Sequence, residues 1–310
     1  MMSKKKINLL MISFIFAIIF MVIPNKANAS TPVTPSLYFG IQEYREGTTP
    51  ANMGYAINNP DANGSTTASI VGTKIWQIVK YNSSSDVNYV TGNYYCIRSG
   101  VGFSDTNKKA EYNISYDFKT EKEAIKNSGN TVLNSIVTNG CYENILALAD
   151  LVYLKGVSTE TERDELLESA GIVKEAYKYH ITDSDIEAVQ QAAFWYYSNH
   201  DDALFETLFN NYGDDKTSWL FYKTLEMSQN SKSYDSLSGY NIEFDSQGQC
   251  GEGLQRQEQA VLLYNYLIRT ANTNAQSYID GTANSTTTIT LYTNANAPEQ
   301  STQPIIVIER

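Results

Sequence analysis

The hydrophobic pattern of this chain changes period twice along its 310 residues, and that limits the folds open to it more than any single motif. Between Leu37 and Phe118 the apolar residues come in short runs rich in aromatic and β-branched side chains, at 37–41, 69–71, 74–79, 88–90, 94–97 and 112–118. Turn-forming clusters at 58–64 and 81–86 separate several of them. Near Thr120 the spacing becomes helical, over 121–126, 142–155, 159–170, 183–198, 203–211, 214–228 and 254–270. Ile145, Leu148, Ala149 and Val152 make one apolar stripe, and Thr182 or Asp183 is the expected N-cap of the fourth helix. A long loop is expected at 229–253. After Ala275 the pattern is β again, at 286–292 and 304–309. Strands, helices and strands in that order predict an α+β fold. A β-sandwich or barrel subdomain (about 35–118 and 276–310) carries a large helical insertion (about 119–275) and closes through its terminal strands.

The first 29 residues stand apart from this pattern. Lys4, Lys5 and Lys6 precede an apolar run from Ile7 to Ile23, then Pro24 and Ala27-Asn28-Ala29. A basic head, a short apolar stretch and an A-x-A site predict a secretory signal peptide cleaved after Ala29. Cleavage removes Lys4, Lys5, Lys6 and Lys26 and takes the formal net charge from −11 to −15. So acidic a mature chain is a poor partner for nucleic acid or an anionic membrane. No later stretch is apolar enough to span a bilayer. The expected product, Ser30 to Arg310, is exported and has no membrane insertion.

Export makes the cysteines informative. Cys96, Cys141 and Cys250 are an odd number, so at least one thiol lacks a partner within the chain. A Cys141–Cys250 disulfide is open, since connectivity does not follow from sequence. The histidines are His180 and His200, too few for an ordinary metal centre, and no C-x-x-C, H-E-x-x-H or acidic calcium loop occurs. No metal or cofactor is expected.

Two stretches carry the candidate chemistry. Tyr94-Tyr95-Cys96-Ile97 reads as a buried strand running into the turn Gly100-Val101-Gly102-Phe103. In isolation Cys96 would be a small core hydrophobe. About a hundred residues on, Gln190-Gln191-Ala192-Ala193-Phe194-Trp195 lies in the helix expected at 183–198. Gln191 shares a helical face with Phe194 and Trp195, so its amide heads for an interior, where it needs hydrogen-bond partners. Read alone, this is an amphipathic helix whose glutamine caps a core edge.

Together the two stretches resemble the thioester domains of Gram-positive surface adhesins. That family carries a Tyr-Cys strand motif and, in a helical subdomain, a motif Thr-Gln-x-Ala-Ile-Trp. Here Tyr95-Cys96-Ile97 matches the first. Gln191, Ala193 and Trp195 match the second, with Gln190 in place of Thr and Phe194 in place of Ile. Gln190 stays open as the reacting residue should the register shift. Thr73-Lys74-Ile75-Trp76 resembles the strand that precedes the cysteine, and the β–helical–β order matches over nearly the whole mature chain.

The resemblance implies an internal thioester between Cys96 Sγ and the side-chain carbonyl of Gln191, formed with loss of ammonia. A lysine amine of a host protein then attacks it, leaving a covalent attachment in a single turnover rather than an enzymatic cycle. An unperturbed thiol is mostly protonated at neutral pH and an amide is a poor acceptor, so the pair must be held in contact. Tyr94, Tyr95, Phe194, Trp195 and Tyr196 are expected to shield the bond from water. Family members usually continue into stalk domains and a wall-sorting signal. Neither follows before Arg310, so the chain is expected to be the N-terminal piece of a surface protein.

Three competing readings remain, one of them a plain β-sandwich lectin-like binding module in which Cys96 is core. Cys250-Gly251-Glu252-Gly253 looks like the thioester sequence of complement proteins, which needs Gln where Gly253 stands; a loop or disulfide cysteine is the plainer account. His180 and His200 bracket the glutamine helix and would suit a secreted cysteine hydrolase or acyltransferase with Cys96 as nucleophile. No local signature around Cys96 supports it, and each histidine reads equally as a helix-end or surface residue.

Overall fold

The computed structural model describes residues 30–42, 52–60, 66–74, 77–98, 109–198, 252–295 and 303–310. The expected signal peptide, Ile75 and Trp76, the turn from Gly100 to Phe103, the helices at 203–211 and 214–228, His200, Cys250 and the expected 229–253 loop as far as Gly251 lie outside them, while Glu252 and Gly253 of that loop are helical.

Nine strands are described: β1 (Thr31–Gln42), β2 (Asn52–Pro60), β3 (Thr66–Lys74), β4 (Gln77–Tyr81), β5 (Val90–Thr91), β6 (Tyr94–Cys96), β7 (Lys109–Asp117), β8 (Thr288–Thr293) and β9 (Ile305–Glu309). Strands β2 and β3 form a separate hairpin, so the run at 58–64 begins inside a strand rather than in a turn. The other seven make one antiparallel sheet in the order β5-β4-β1-β7-β8-β9-β6. The sheet curls, bringing β4 against β6 from the far side. This is the β part of an α+β fold, a curled seven-stranded sheet together with the two-stranded β2–β3 hairpin. Strands β8 and β9 from the end of the chain close it, with Cys96 paired to Ile305.

Between β7 and β8 run α1 (Lys122–Lys126), α2 (Thr131–Thr138), α3 (Tyr142–Leu151), α4 (Glu160–Ser169), α5 (Asp183–Ser198) and α6 (Glu252–Ile279). The stripe Ile145, Leu148, Ala149 and Val152 is buried. Its helix α3 packs on α6, which also packs on α5. Helix α5 starts in a reciprocal cap: Thr182 N–H donates to Asp185 Oδ2 at 2.8 Å, and Asp185 N–H to Thr182 Oγ1 at 3.2 Å. At the seam between sheet and bundle, Tyr142 stacks on Phe118 at 4.8 Å and donates its hydroxyl to the Phe118 carbonyl. One continuous core of buried residues runs across that seam. Among the described residues no helix is long and apolar enough to cross a membrane.

Candidate functional site

Among the described residues strand β6 is the last in its sheet, with one edge that no described strand pairs. In an antiparallel ladder, alternate residues turn both backbone groups toward the partner strand or both away. Ile308 N–H donates to the Asn93 carbonyl and Ile97 N–H to the Pro304 carbonyl, at 3.1 and 3.0 Å. Asn93 and Ile97 therefore face β9, and the alternation turns Cys96 outward. A buried outward edge must find partners elsewhere.

Gln191 supplies both. Cys96 N–H donates to Gln191 Oε1 at 2.8 Å, and Gln191 Nε2 donates to the Cys96 carbonyl at 2.8 Å. The side-chain amide thus pairs with the strand edge as a neighbouring strand would. Cys96 is 9% exposed and Gln191 5%.

Gln190 makes a second amide clip, on a different segment. Its Oε1 accepts from Tyr153 N–H at 2.6 Å, while its Nε2 donates to the Tyr153 carbonyl at 3.1 Å and the Tyr95 hydroxyl at 2.8 Å. Gln259 of α6 repeats the pattern, accepting from Ile181 N–H at 3.0 Å and donating to the Tyr179 carbonyl at 2.7 Å. Buried glutamines thus fasten extended segments to the helices. Of the two adjacent on α5, the one on Cys96 is Gln191.

The Cys96 thiol is free and buried. Burial raises its pKa to about 12, opposed by a hydrogen bond from the Gln303 side chain. At neutral pH it is a thiol, not a thiolate. The Tyr112 phenol lies close enough for Cys96 charge to add to the upward push that burial gives it. Tyr112 also donates its hydroxyl to the Gln303 carbonyl.

The aromatic residues divide. Tyr95 packs on Phe194 with ring centroids 4.7 Å apart, joining β6 to α5 beside the Cys96–Gln191 contact. Trp195 is buried and Tyr196 half-buried. Tyr94 is half-buried and meets Phe39 of β1 at 5.3 Å, so it packs along the sheet. Gln303 and Tyr112 were not singled out in the sequence. Neither sits in a motif, and both reach Cys96 only through strand pairings set by distant parts of the chain.

His180 is exposed and lines a separate cleft of about 240 Å³ with Arg163, Leu167, Glu168, Ile172 and Gln259. The polar groups described at the Cys96 thiol are those of Gln303 and Tyr112, and neither is a histidine. Cys141 is buried at the start of α3. Among the described residues no cluster of three or more His, Cys, Asp or Glu could hold a metal ion.

No protein-family model matches the chain, and no curated protein matches it significantly. Two solved structures are similar. One is the N-terminal domain of the Streptococcus pyogenes pilus tip adhesin Cpa, 14% identical, with a TM-score of 0.42 over 89% of this chain and 95% of that one. The other is the N-terminal thioester domain of fibronectin-binding protein SfbI from Streptococcus pyogenes, 12% identical, with a TM-score of 0.41 over 87% of this chain and 91% of that one.

Proposed function

We propose that Cys96 and Gln191 join in an internal thioester, and that the chain is an exported surface adhesin domain which couples covalently to lysine amines of host proteins. The observation that carries this reading is the pair of 2.8 Å hydrogen bonds between the Gln191 amide and the Cys96 backbone.

That contact meets the requirements of the chemistry in turn. Side chains stand roughly perpendicular to a sheet, whereas an amide paired to the strand edge lies near the plane of the ladder. A thiol standing off the ladder in this way would approach the face of the amide, the side from which a carbonyl carbon is attacked. Cys96 N–H already holds Oε1, where negative charge develops in the tetrahedral intermediate. The Cys96 carbonyl holds Nε2, the nitrogen that departs. Holding both groups in one geometry is worth an effective concentration on the order of 10⁵ M or more.

Atoms balance without a co-reactant. The Sγ–Cδ bond forms, the Cδ–Nε2 bond breaks, and the thiol proton leaves with the nitrogen as ammonia. Because burial keeps the thiol protonated, that proton moves as the new bond forms rather than beforehand. Attack by an amine on Cδ then breaks Cδ–Sγ, returns a proton to sulfur and leaves a substituted amide on Gln191. Tyr95 and Phe194 keep bulk water from one side of the bond.

Intact mass spectrometry of the purified mature chain is the test. The expected mass is one ammonia below the sequence mass, restored by Cys96→Ala or Gln191→Ala. A wild-type chain at full sequence mass would refute the thioester.

A further inference from the structure

The Cys96 thiol has another amide beside it, from neither glutamine of α5. Extending the β6–β9 register past Cys96 and Ile305 sets Ile97 opposite Pro304 and Arg98 opposite Gln303. Alternation then puts Gln303 on the same face as Cys96, diagonally across the pairing, a gap that a long side chain spans. The side chain does span it, near enough that its amide acts against the rise that burial gives the thiol pKa. Its Nε2 also donates to the Arg98 carbonyl, and the Gln303 carbonyl accepts from the Tyr112 hydroxyl.

Gln303 is therefore fixed at its main chain and at its amide nitrogen, and it is 1% exposed. Its remaining polar atom, Oε1, is buried and has no hydrogen-bond partner among the described residues. A buried amide oxygen without a donor is costly and calls for an explanation. Beside a nucleophilic sulfur, the missing donor is a group that arrives with the reaction.

We propose that Gln303 Oε1 receives the incoming primary amine. This rests on the thioester reading above. An amine attacking Gln191 Cδ spends its lone pair on carbon and becomes ammonium-like, so its N–H groups strengthen as donors while the bond forms. An acceptor fixed beside the sulfur orients the amine and stabilises that charge. A neutral amide is too weak a base to take the proton, which passes to the departing sulfur and regenerates the thiol. Gln303 neither gains nor loses an atom. It selects nucleophiles that carry an N–H.

Selectivity between nucleophiles tests this. The mature chain and its Gln303→Met and Gln303→Glu variants are reacted separately with methylamine and with 2-mercaptoethanol, and both reactions are followed by intact mass. Methionine keeps the length of the side chain and removes the acceptor; glutamate keeps an acceptor. The expected result is a methylamine rate lowered about five- to tenfold in Gln303→Met, the worth of one hydrogen bond. The thiol rate should stay within about twofold, and Gln303→Glu should restore the amine rate. Equal rates with methylamine, or equal slowing with both nucleophiles, would overturn the proposal. So would folded variants that both keep full sequence mass, since Gln303 would then serve bond formation instead. A wild-type chain at full mass removes both readings; a light wild type with unselective variants removes only this one.

Discussion

Gln190 Nε2 lies 2.8 Å from the Tyr95 hydroxyl, one residue before the Cys96–Gln191 contact on each segment. Two adjacent glutamines of one helix thus hold two adjacent residues of one strand, by different means. Gln190 reaches a side chain and the Tyr153 backbone; Gln191 reaches the Cys96 backbone. The division separates their expected roles. Gln191→Ala is expected to abolish the loss of ammonia. Gln190→Ala is expected to keep it while destabilising the fold by about 2–4 kcal/mol, because buried groups of Tyr95 and Tyr153 lose their partner. Intact mass and denaturant unfolding of both variants check this.

Phe194 is fully buried, with its ring against Tyr95. Phe194→Ala removes that ring from the joint between sheet and bundle and is expected to cost about 3–5 kcal/mol. Water admitted beside the thioester should also hasten its hydrolysis. Unfolding midpoints and the decay of the light mass species on storage at neutral pH measure the two effects separately.

The thiol and the thioester differ in their response to alkali. Cys96 has its pKa raised from an ordinary 9.0 to about 12 by burial. Between those values the unfolded chain has lost a proton that the folded chain keeps, so stability falls as pH rises. Each pH unit above about 9 is expected to cost about 1.4 kcal/mol. Gln191→Ala, which keeps the thiol, should show this loss. Gln191→Ala combined with Cys96→Ala should not, and tyrosine titration is common to both. Wild type carrying a thioester has no Cys96 proton to lose and should follow the double variant. Urea unfolding of the three proteins from pH 8 to 10.5 provides the comparison.

Thioester formation releases ammonia and is reversible by the same path. Concentrated ammonium at pH above about 9, where much of it is free ammonia, is expected to return the wild-type chain to full sequence mass. Methylamine under the same conditions should instead yield a methylated amide on Gln191, located by peptide mapping. A label on any other residue would contradict the assignment.

The sequence made the α+β order plain because it depends on local period. Helix α5 was expected at 183–198 and is found there, since Thr182 and Asp185 mark its start and its buried face is aromatic. Helix α2 was not expected. Thr131, Val132, Ile136, Val137 and Thr138 are β-branched and weak helix formers, and the burial of Leu133 and Ile136 under an Asn130 cap decides the matter in three dimensions. The same limit applies at the site. Cys96 and a glutamine of α5 could be picked out because each sits in a recognisable local pattern. Which glutamine meets Cys96 depends on the rotation of α5 against the edge of β6. Gln303 depends on register between strands more than two hundred residues apart.

The paired contact at Cys96 has a stereochemical consequence for the proposed coupling. A primary amide can aim its oxygen and one hydrogen at the same strand edge, as Gln191 does. Once a lysine carbon replaces that hydrogen, the preferred trans arrangement points the surviving N–H away from the oxygen. The lock that unreacted Gln191 makes with Cys96 cannot then close again in full. Capture would leave a permanent mark in the sheet: a Cys96 carbonyl released from its partner, and a margin of β6 altered for as long as the target stays attached.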